Sequence, residues 1–362
     1  MMKVKTRMFR NSILFLILFF FASESYAHET PADLANLSIN ELSRIKLSGQ
    51  EKKVLDSRWN ISYRFRRTVF EGYRDGTTNV PRSQVLFDGN PANRTSRNFP
   101  IVPTKITQEA HIFNLGYKLD SLSAINVVVP YIKQSTNHIS IVPGFSTYSI
   151  TTEGVGDVVL SYERDIFQME NSFVLAKLGI SFPTGSINQT GNTPRGPGEQ
   201  QLPFTKQLGS GTFDFPIGIN YYGQHNKWSW GAGANAKFRL GRNSRNYRLG
   251  HTAGASVWSG IQMFPWLKPT VNIDYRYSDH IHGMDNALLA PGAFPFPASI
   301  TNPRFFGGHK VFASIGFELS PQSGPLSKHT IGFSYAKPIY QNLKGLQIEQ
   351  DGIIDVYWDL RF

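Results

Sequence analysis

Over much of this chain apolar and polar residues alternate one by one. In residues 228–240, Trp228, Trp230, Ala232, Ala234, Ala236, Phe238 and Leu240 fall on one parity. Ser229, Gly231, Gly233, Asn235, Lys237 and Arg239 fall on the other. Successive side chains of a strand point to opposite faces, so this segment predicts a strand with one apolar and one polar face. The same dyad recurs at 58–66, 269–278 and 354–362, and weaker versions at 106–119, 124–133, 156–166, 173–183, 212–222, 248–261, 309–319 and 328–338. With 228–240 these make twelve predicted strands, each near the ~9–11 residues that a tilted strand needs to cross a bilayer.

The links between segments alternate in length. Short ones fall near 120–121, 168–172, 224–227, 263–266 and 320–327. Longer ones fall at 75–104, 134–155, 184–211, 241–247, 279–308 and 339–351. An antiparallel up-and-down transmembrane β-barrel, with short turns at one end and long loops at the other, has this rhythm. A soluble pair of sandwiches with apolar-in, polar-out strands is the competing reading. Against it, Trp, Tyr and Phe crowd the ends of the apolar parity, where interfacial girdles belong. The polar parity is rich in Gly, Ser and Asn with mixed charge, which suits a crowded lumen.

Composition sharpens this picture. Only 17% of the 362 residues are charged, below the ~25% usual for soluble domains, while 13% are aromatic. After residue 27 no apolar run is long enough for a helical span of roughly 20 residues. Lys3, Lys5, Arg7 and Arg10, the apolar run 13–21 and Ser25-Tyr26-Ala27 have the three-part layout of a cleaved signal peptide, predicted to end at Ala27. Its removal takes away four basic residues and one acidic residue, lowering the net charge from +11 to +8. No basic block stands out, so nucleic acid is not an expected partner. The absence of cysteine excludes disulfides, thiolate nucleophiles and cysteine metal sites.

Residues 28–57 read as a periplasmic segment with a short helix, because Leu34, Leu37, Ile39, Leu42 and Ile45 form a loose helical stripe and Ser38 with Glu41 could form a capping box. The expected organisation is therefore signal peptide 1–27, tether 28–57 and barrel 58–362. The last strand ends with Trp358, Leu360 and Phe362 on one parity. This resembles the carboxy-terminal signal of bacterial outer-membrane barrels, which implies the barrel assembly machinery as a partner.

Three glycine-rich landmarks stand in order: Gly154-Val155-Gly156-Asp157, Phe182-Pro183-Thr184-Gly185 and Gly209-Ser210-Gly211-Thr212-Phe213-Asp214. Over roughly residues 104–362 the chain resembles the outer-membrane family named for a putative MetA pathway of phenol degradation. That resemblance implies a transporter-like barrel. Read locally, the same residues look like punctuation at the barrel rim, with glycines turning the chain and Pro183 ending a strand.

The polar parity places Arg64, Arg66, Lys118, Lys177, Lys237, Arg239, Asp274, Arg276 and Glu318 in the lumen. They are the pore-lining candidates, either a charged, selective pore or an internal ion-pair network that fills it. His138-Ile139-Ser140 superficially resembles the His-x-Ser of outer-membrane phospholipase and raises the alternative of a lipid-modifying hydrolase, but it lacks the Asn-Gly that follows in that motif and falls in an expected loop. Asp279-His280-Ile281-His282 with Asp285 has metal-ligand residue types, but reads as ordinary solvated loop, and no metal or cofactor is assigned. The run 290–297, rich in Pro and Phe, could fold inward as a constriction or form a rigid cap. The expectation is a monomeric channel or transporter, non-enzymatic, set in outer-membrane lipid and passing small solutes, hydrophobic or aromatic ones included. A structural barrel without transport is the other alternative.

Overall fold

The computed structural model describes residues 58–362. The predicted signal peptide and the segment 28–57 lie outside the described residues. Eleven strands close into one antiparallel ring. They are β1 (Trp59–Gly76), β2 (Ile101–Lys118), β3 (Ser123–Ser140), β5 (Val158–Met169), β6 (Ser172–Phe182), β7 (Asp214–His225), β8 (Trp228–Arg239), β9 (Thr252–Ile261), β10 (Leu267–Ser278), β11 (Gly308–Leu319) and β12 (His329–Arg361). A further strand, β4 (Thr147–Val155), continues β5 upward along β3. Each ring strand pairs with its neighbours in sequence, and β12 closes on β1. At the seam the Trp59 and Phe362 backbones exchange two hydrogen bonds, Trp59 N–H to Phe362 O at 3.0 Å and Phe362 N–H to Trp59 O at 3.1 Å. Closure leaves the ring itself no open edge, which the bilayer interior demands.

The last strand, 33 residues long, doubles back. Its first arm pairs with β11 up to Leu343, and its second pairs with β1 from the same residue onward. The arms meet each other through Gln341 and Gln350, whose side chain and backbone groups bond at 2.9 and 3.0 Å, and through Trp358 Nε1–H donating to His329 Nδ1 at 2.9 Å. Gly345, at φ +66°, makes the bend in a left-handed conformation that a side chain would strain. Counting β12 twice, the ring has twelve passes, as the alternation predicts.

The membrane face is apolar by the dyad. On β8 Trp228, Trp230, Ala232, Ala234 and Phe238 are exposed, while Ser229, Lys237 and Arg239 are buried. Trp59, Trp228 and Trp266 are 42–54% exposed near the short-turn end, where an interfacial girdle belongs. The opposite boundary is marked on the outer surface by Arg67 with Glu109, Lys133 with Glu153 and Lys105 with Glu71, which pair across neighbouring strands. Above that charged row β1, β2 and β3, 18 residues each, and β4 continue as a wall in solvent.

That wall corrects several expected boundaries. The first segment runs to Gly76 instead of ending near 66, the second begins at Ile101, and the links expected at 134–155 and 339–351 are mostly strand. The segment expected at 248–261 starts at Thr252, with Tyr247–Arg248 pairing instead with His282–Gly283. Inside the wall the long loops build their own apolar cores. One gathers Phe70, Tyr73, Val85, Phe99, Val102, Ile106, Leu346 and Ile348. Another gathers Phe204, Tyr247, Leu249, Ile281, Leu288 and Phe306. The loops at this end thus form a packed cap.

Candidate functional site: the lumen and its inward loop

The lumen is polar because each strand's second parity points into it, and its charges meet across neighbouring strands or, as with Arg276 and Asp274, along one strand. Arg66 holds Asp355 through two hydrogen bonds of 2.7 Å. Arg239 Nε donates to Asp214 at 3.2 Å, with Lys237 Nζ 4.0 Å from the same carboxylate. Lys177 lies 3.8 Å from Glu163, Lys268 contacts Glu318 directly, and Arg276 contacts Asp274. Lys310 donates to Gln350 at 2.8 Å. Nearly all of this is inaccessible to water, with Arg239 and Asp214 at 0% and Lys237 at 2% exposure. Charges so deeply removed from water persist only when paired or hydrogen-bonded.

Eight of the nine predicted pore-lining residues lie in this interior: Arg64, Arg66, Lys177, Lys237, Arg239, Asp274, Arg276 and Glu318. The ninth, Lys118, sits exposed at the short-turn end of β2. Trp358, Leu360 and Phe362 are on the outward parity of the closing arm, opposite the buried Asp355, Tyr357 and Asp359. Sequence reading missed Lys268 and Lys310, and missed aromatic residues on the inward parity. Phe173 and Tyr222 stack at 4.8 Å, Tyr222 and Trp258 meet at 6.3 Å, and Lys268 sits over the Trp258 ring at 5.8 Å. Tyr222 was visible in principle, because it shares the parity of Asp214 and Asn220.

The lumen is not uniformly filled. Inward Asn235 is exposed, and its cross-strand partners are Gly218 and Gly254. The Lys177, Asp274 and Arg276 side chains nearby are each 17% exposed. Small residues on β7–β9 thus leave water-accessible space on one side of the barrel at mid-height.

Above that space the loop between β6 and β7 enters the barrel. Residues 201–210 are buried without interruption, unlike a surface loop. Leu208 packs on Ala110, Ile112, Val128, Ile132 and Val159 of the inner wall. Lys206 Nζ donates to the carbonyls of Ile150 (3.0 Å) and Gln134 (3.4 Å), and Thr152 Oγ1 donates to Lys206 O at 3.0 Å. Burial pushes the Lys206 ammonium down to about 7. Phe204 meets Tyr247 and Phe306 edge-on at 4.9 and 5.7 Å, joining the inward loop to the cap.

The three glycine-rich landmarks converge at the root of this loop. Asp157 accepts from Gly185 N–H at 2.9 Å with one oxygen and from Ser210 N–H at 2.7 Å with the other. Thr184 Oγ1 donates to Gly156 O at 2.8 Å and accepts from Val158 N–H at 2.9 Å. Thr212 Oγ1 donates to Asp214 at 2.7 Å. A Cβ on Gly185 would lie 2.7 Å from Gly209 Cα, so the backbones touch only because both are glycine. The landmarks are a clasp holding both ends of the loop against the barrel wall.

Two other expectations find their place. His138 stacks on Tyr148 at 4.6 Å, and burial pushes its imidazole down to about 3, with Lys206 adding to the effect. Ser140 Oγ accepts from Val142 N–H at 3.0 Å. The structure does not pair this serine and histidine as base and nucleophile. In the 290–297 run, residues 291–294 are exposed, with Phe294 under Arg94 at 5.0 Å, while Phe296 packs on the cap core and Pro297 is buried. The run is part of the cap, and the segment that enters the barrel is 201–210.

A closed barrel with a lipid-facing apolar surface, an aromatic girdle and a charged, loop-filled lumen has the architecture of bacterial outer-membrane barrels. Among solved structures the chain is similar to an outer membrane channel from Pseudomonas putida F1, with 12% identity over 88% of this chain and 100% of that one, and a TM-score of 0.53. It is also similar to a Pseudomonas aeruginosa FadL homologue (9% identity, 85% and 91% covered, TM-score 0.44) and to the Ralstonia pickettii toluene transporter TbuX (9%, 84% and 90%, 0.41). No family model matches the chain, and neither does any curated protein.

Proposed function

We propose that this protein is an outer-membrane channel for small solutes, with the loop between β6 and β7 as its constriction. The observation that carries this reading is the unbroken burial of residues 201–210 above a water-accessible lumen side. A barrel that served only as a scaffold would need neither the clasp at Asp157 nor lumen space beside Asn235. The shared fold with a P. putida outer membrane channel supports the same reading. The inward rings of Phe173, Tyr222 and Trp258 suit apolar or aromatic solutes. The protein sits in outer-membrane lipid as a monomer, after export and insertion by the barrel assembly machinery. Purified protein in planar bilayers should show discrete conductance steps, and liposomes carrying it should take up small aromatic solutes faster than empty ones. Absence of both steps and flux would sink the channel reading.

A further inference from the structure

We propose that Asp279, His280 and His282 form a binding site for a divalent transition-metal ion of the zinc or copper kind. The segment leaves β10 at the cap end and turns back on itself, bringing three donor atoms within 4.8 Å of one another. His280 Nδ1 is 2.8 Å from Asp279 Oδ1, and His282 Nε2 is 2.7 Å from Asp279 Oδ2. The two rings lie 4.2 Å apart. Two imidazoles and a carboxylate are a donor set that first-row divalent ions favour over magnesium or calcium. At about 2.0–2.2 Å from each donor an ion would retain positions for water or a solute donor.

The arrangement is held by the fold. Asp279 N–H donates to His251 O at 2.8 Å, and Ile281 N–H to Pro303 O at 3.1 Å. Ile281, between the two histidines, is 2% exposed in the cap's apolar core. His282 and Gly283 pair with Arg248 and Tyr247 of the neighbouring loop, and Gly283 adopts φ +85°. The donors themselves remain half-open to solvent, with side-chain exposures of 17–35%. Asp285, the fourth ligand type in this stretch, is not part of the set, since it pairs with Arg245 and caps Ala287 N–H. His251 is also outside it, with Nδ1 accepting from Arg239 N–H and Nε2 facing Arg248.

A bound ion would take the place of the protons that now bridge the Asp279 carboxylate and the two facing ring nitrogens.

The test uses the full chain in detergent with any affinity tag removed. Zn²⁺ is titrated against a chromophoric chelator, and Cu²⁺ binding is followed by electron paramagnetic resonance. One ion per chain is expected, with nitrogen couplings from two imidazoles in the copper spectrum. H280Q and H282Q should each weaken Zn²⁺ binding by more than about tenfold, since even outer-shell changes at metal sites cost 10–100-fold. A heat-modifiable gel shift confirms that each variant keeps its barrel. Zn²⁺ affinity and copper couplings unchanged in a folded H280Q/H282Q double variant would overturn the proposal, as would wild type that binds neither ion. Channel activity enters none of these readouts.

Discussion

Asp157→Ala should loosen the constriction. The Asp157 carboxylate is 1% exposed and accepts one backbone N–H from each end of the inward loop. Hydrogen bonds to a charged acceptor contribute about 1.5–3 kcal/mol each, so losing both removes about 3–6 kcal/mol from the docked loop. At 1.4 kcal/mol per factor of ten, the docked-to-released ratio falls by roughly 10²–10⁴. Leu208→Ala attacks the same equilibrium beside the clasp, two residues before Ser210, because Leu208 fills a pocket of Ala110, Ile112, Val128, Ile132 and Val159. Leu-to-Ala changes in such settings cost about 2–5 kcal/mol. Single-channel recording should show larger or more frequent openings in D157A than in wild type, and larger still in D157A/L208A. Limited proteolysis near Pro194–Gly198, half-buried at Pro194, Arg195 and Gly196 and joined to the inward loop through Arg195 and Gln201, should quicken in parallel. Should the folded double variant conduct and resist protease like wild type, the loop is not the constriction.

Three further outcomes are expected. Lys206 is held at about 7 in the docked loop against 10.5 in solvent, so the docked state binds fewer protons than the released one between those values. Docking is weakest below pH 7 and strengthens as pH rises towards 10.5, so openings should be rarer at pH 9 than at pH 6.5, and K206M should flatten that dependence. Asp355→Ala leaves Arg66 buried beside a lost bidentate partner and should cost about 3–5 kcal/mol, read as a lower unfolding midpoint in heat-modifiable gels; an unchanged midpoint contradicts the pairing. Gly209→Ala places a Cβ 2.4 Å from Gly185 O and 2.5 Å from Asp157 Oδ1, so it should reproduce the D157A conductance change; wild-type behaviour would show that the clasp is slack.

The dyad pattern located all twelve passes because lipid on one side and a polar lumen on the other impose opposite chemistry on successive residues. It failed above the charged row at Arg67, Glu109, Lys133 and Glu153, where the outer face meets solvent and the inner face mixes polar Gln134 and Thr136 with apolar Phe70, Val102 and Ile106. Hydrogen bonding continues there, but the alternation that reveals it stops. The inward charges were legible from parity alone, whereas their partners were not. Arg66 finds Asp355 and Lys268 finds Glu318 through register, which local sequence does not encode. The clasp shows the same limit more sharply. Its glycines and Asp157 stand out as motifs, but their meaning lies in a meeting of three segments more than fifty residues apart end to end. Asp279 and the two histidines were visible as residue types, while only the turn of the chain shows that their donor atoms converge.

The seam between Trp59 and Phe362 has a temporal consequence. The first described strand of the ring pairs with the last, so until the closing arm of β12 is in place β1 keeps a bare edge. A chain shortened by even one strand cannot be a slightly smaller version of the protein. It is a ribbon with two adhesive margins, and its fate depends on whatever holds those margins apart.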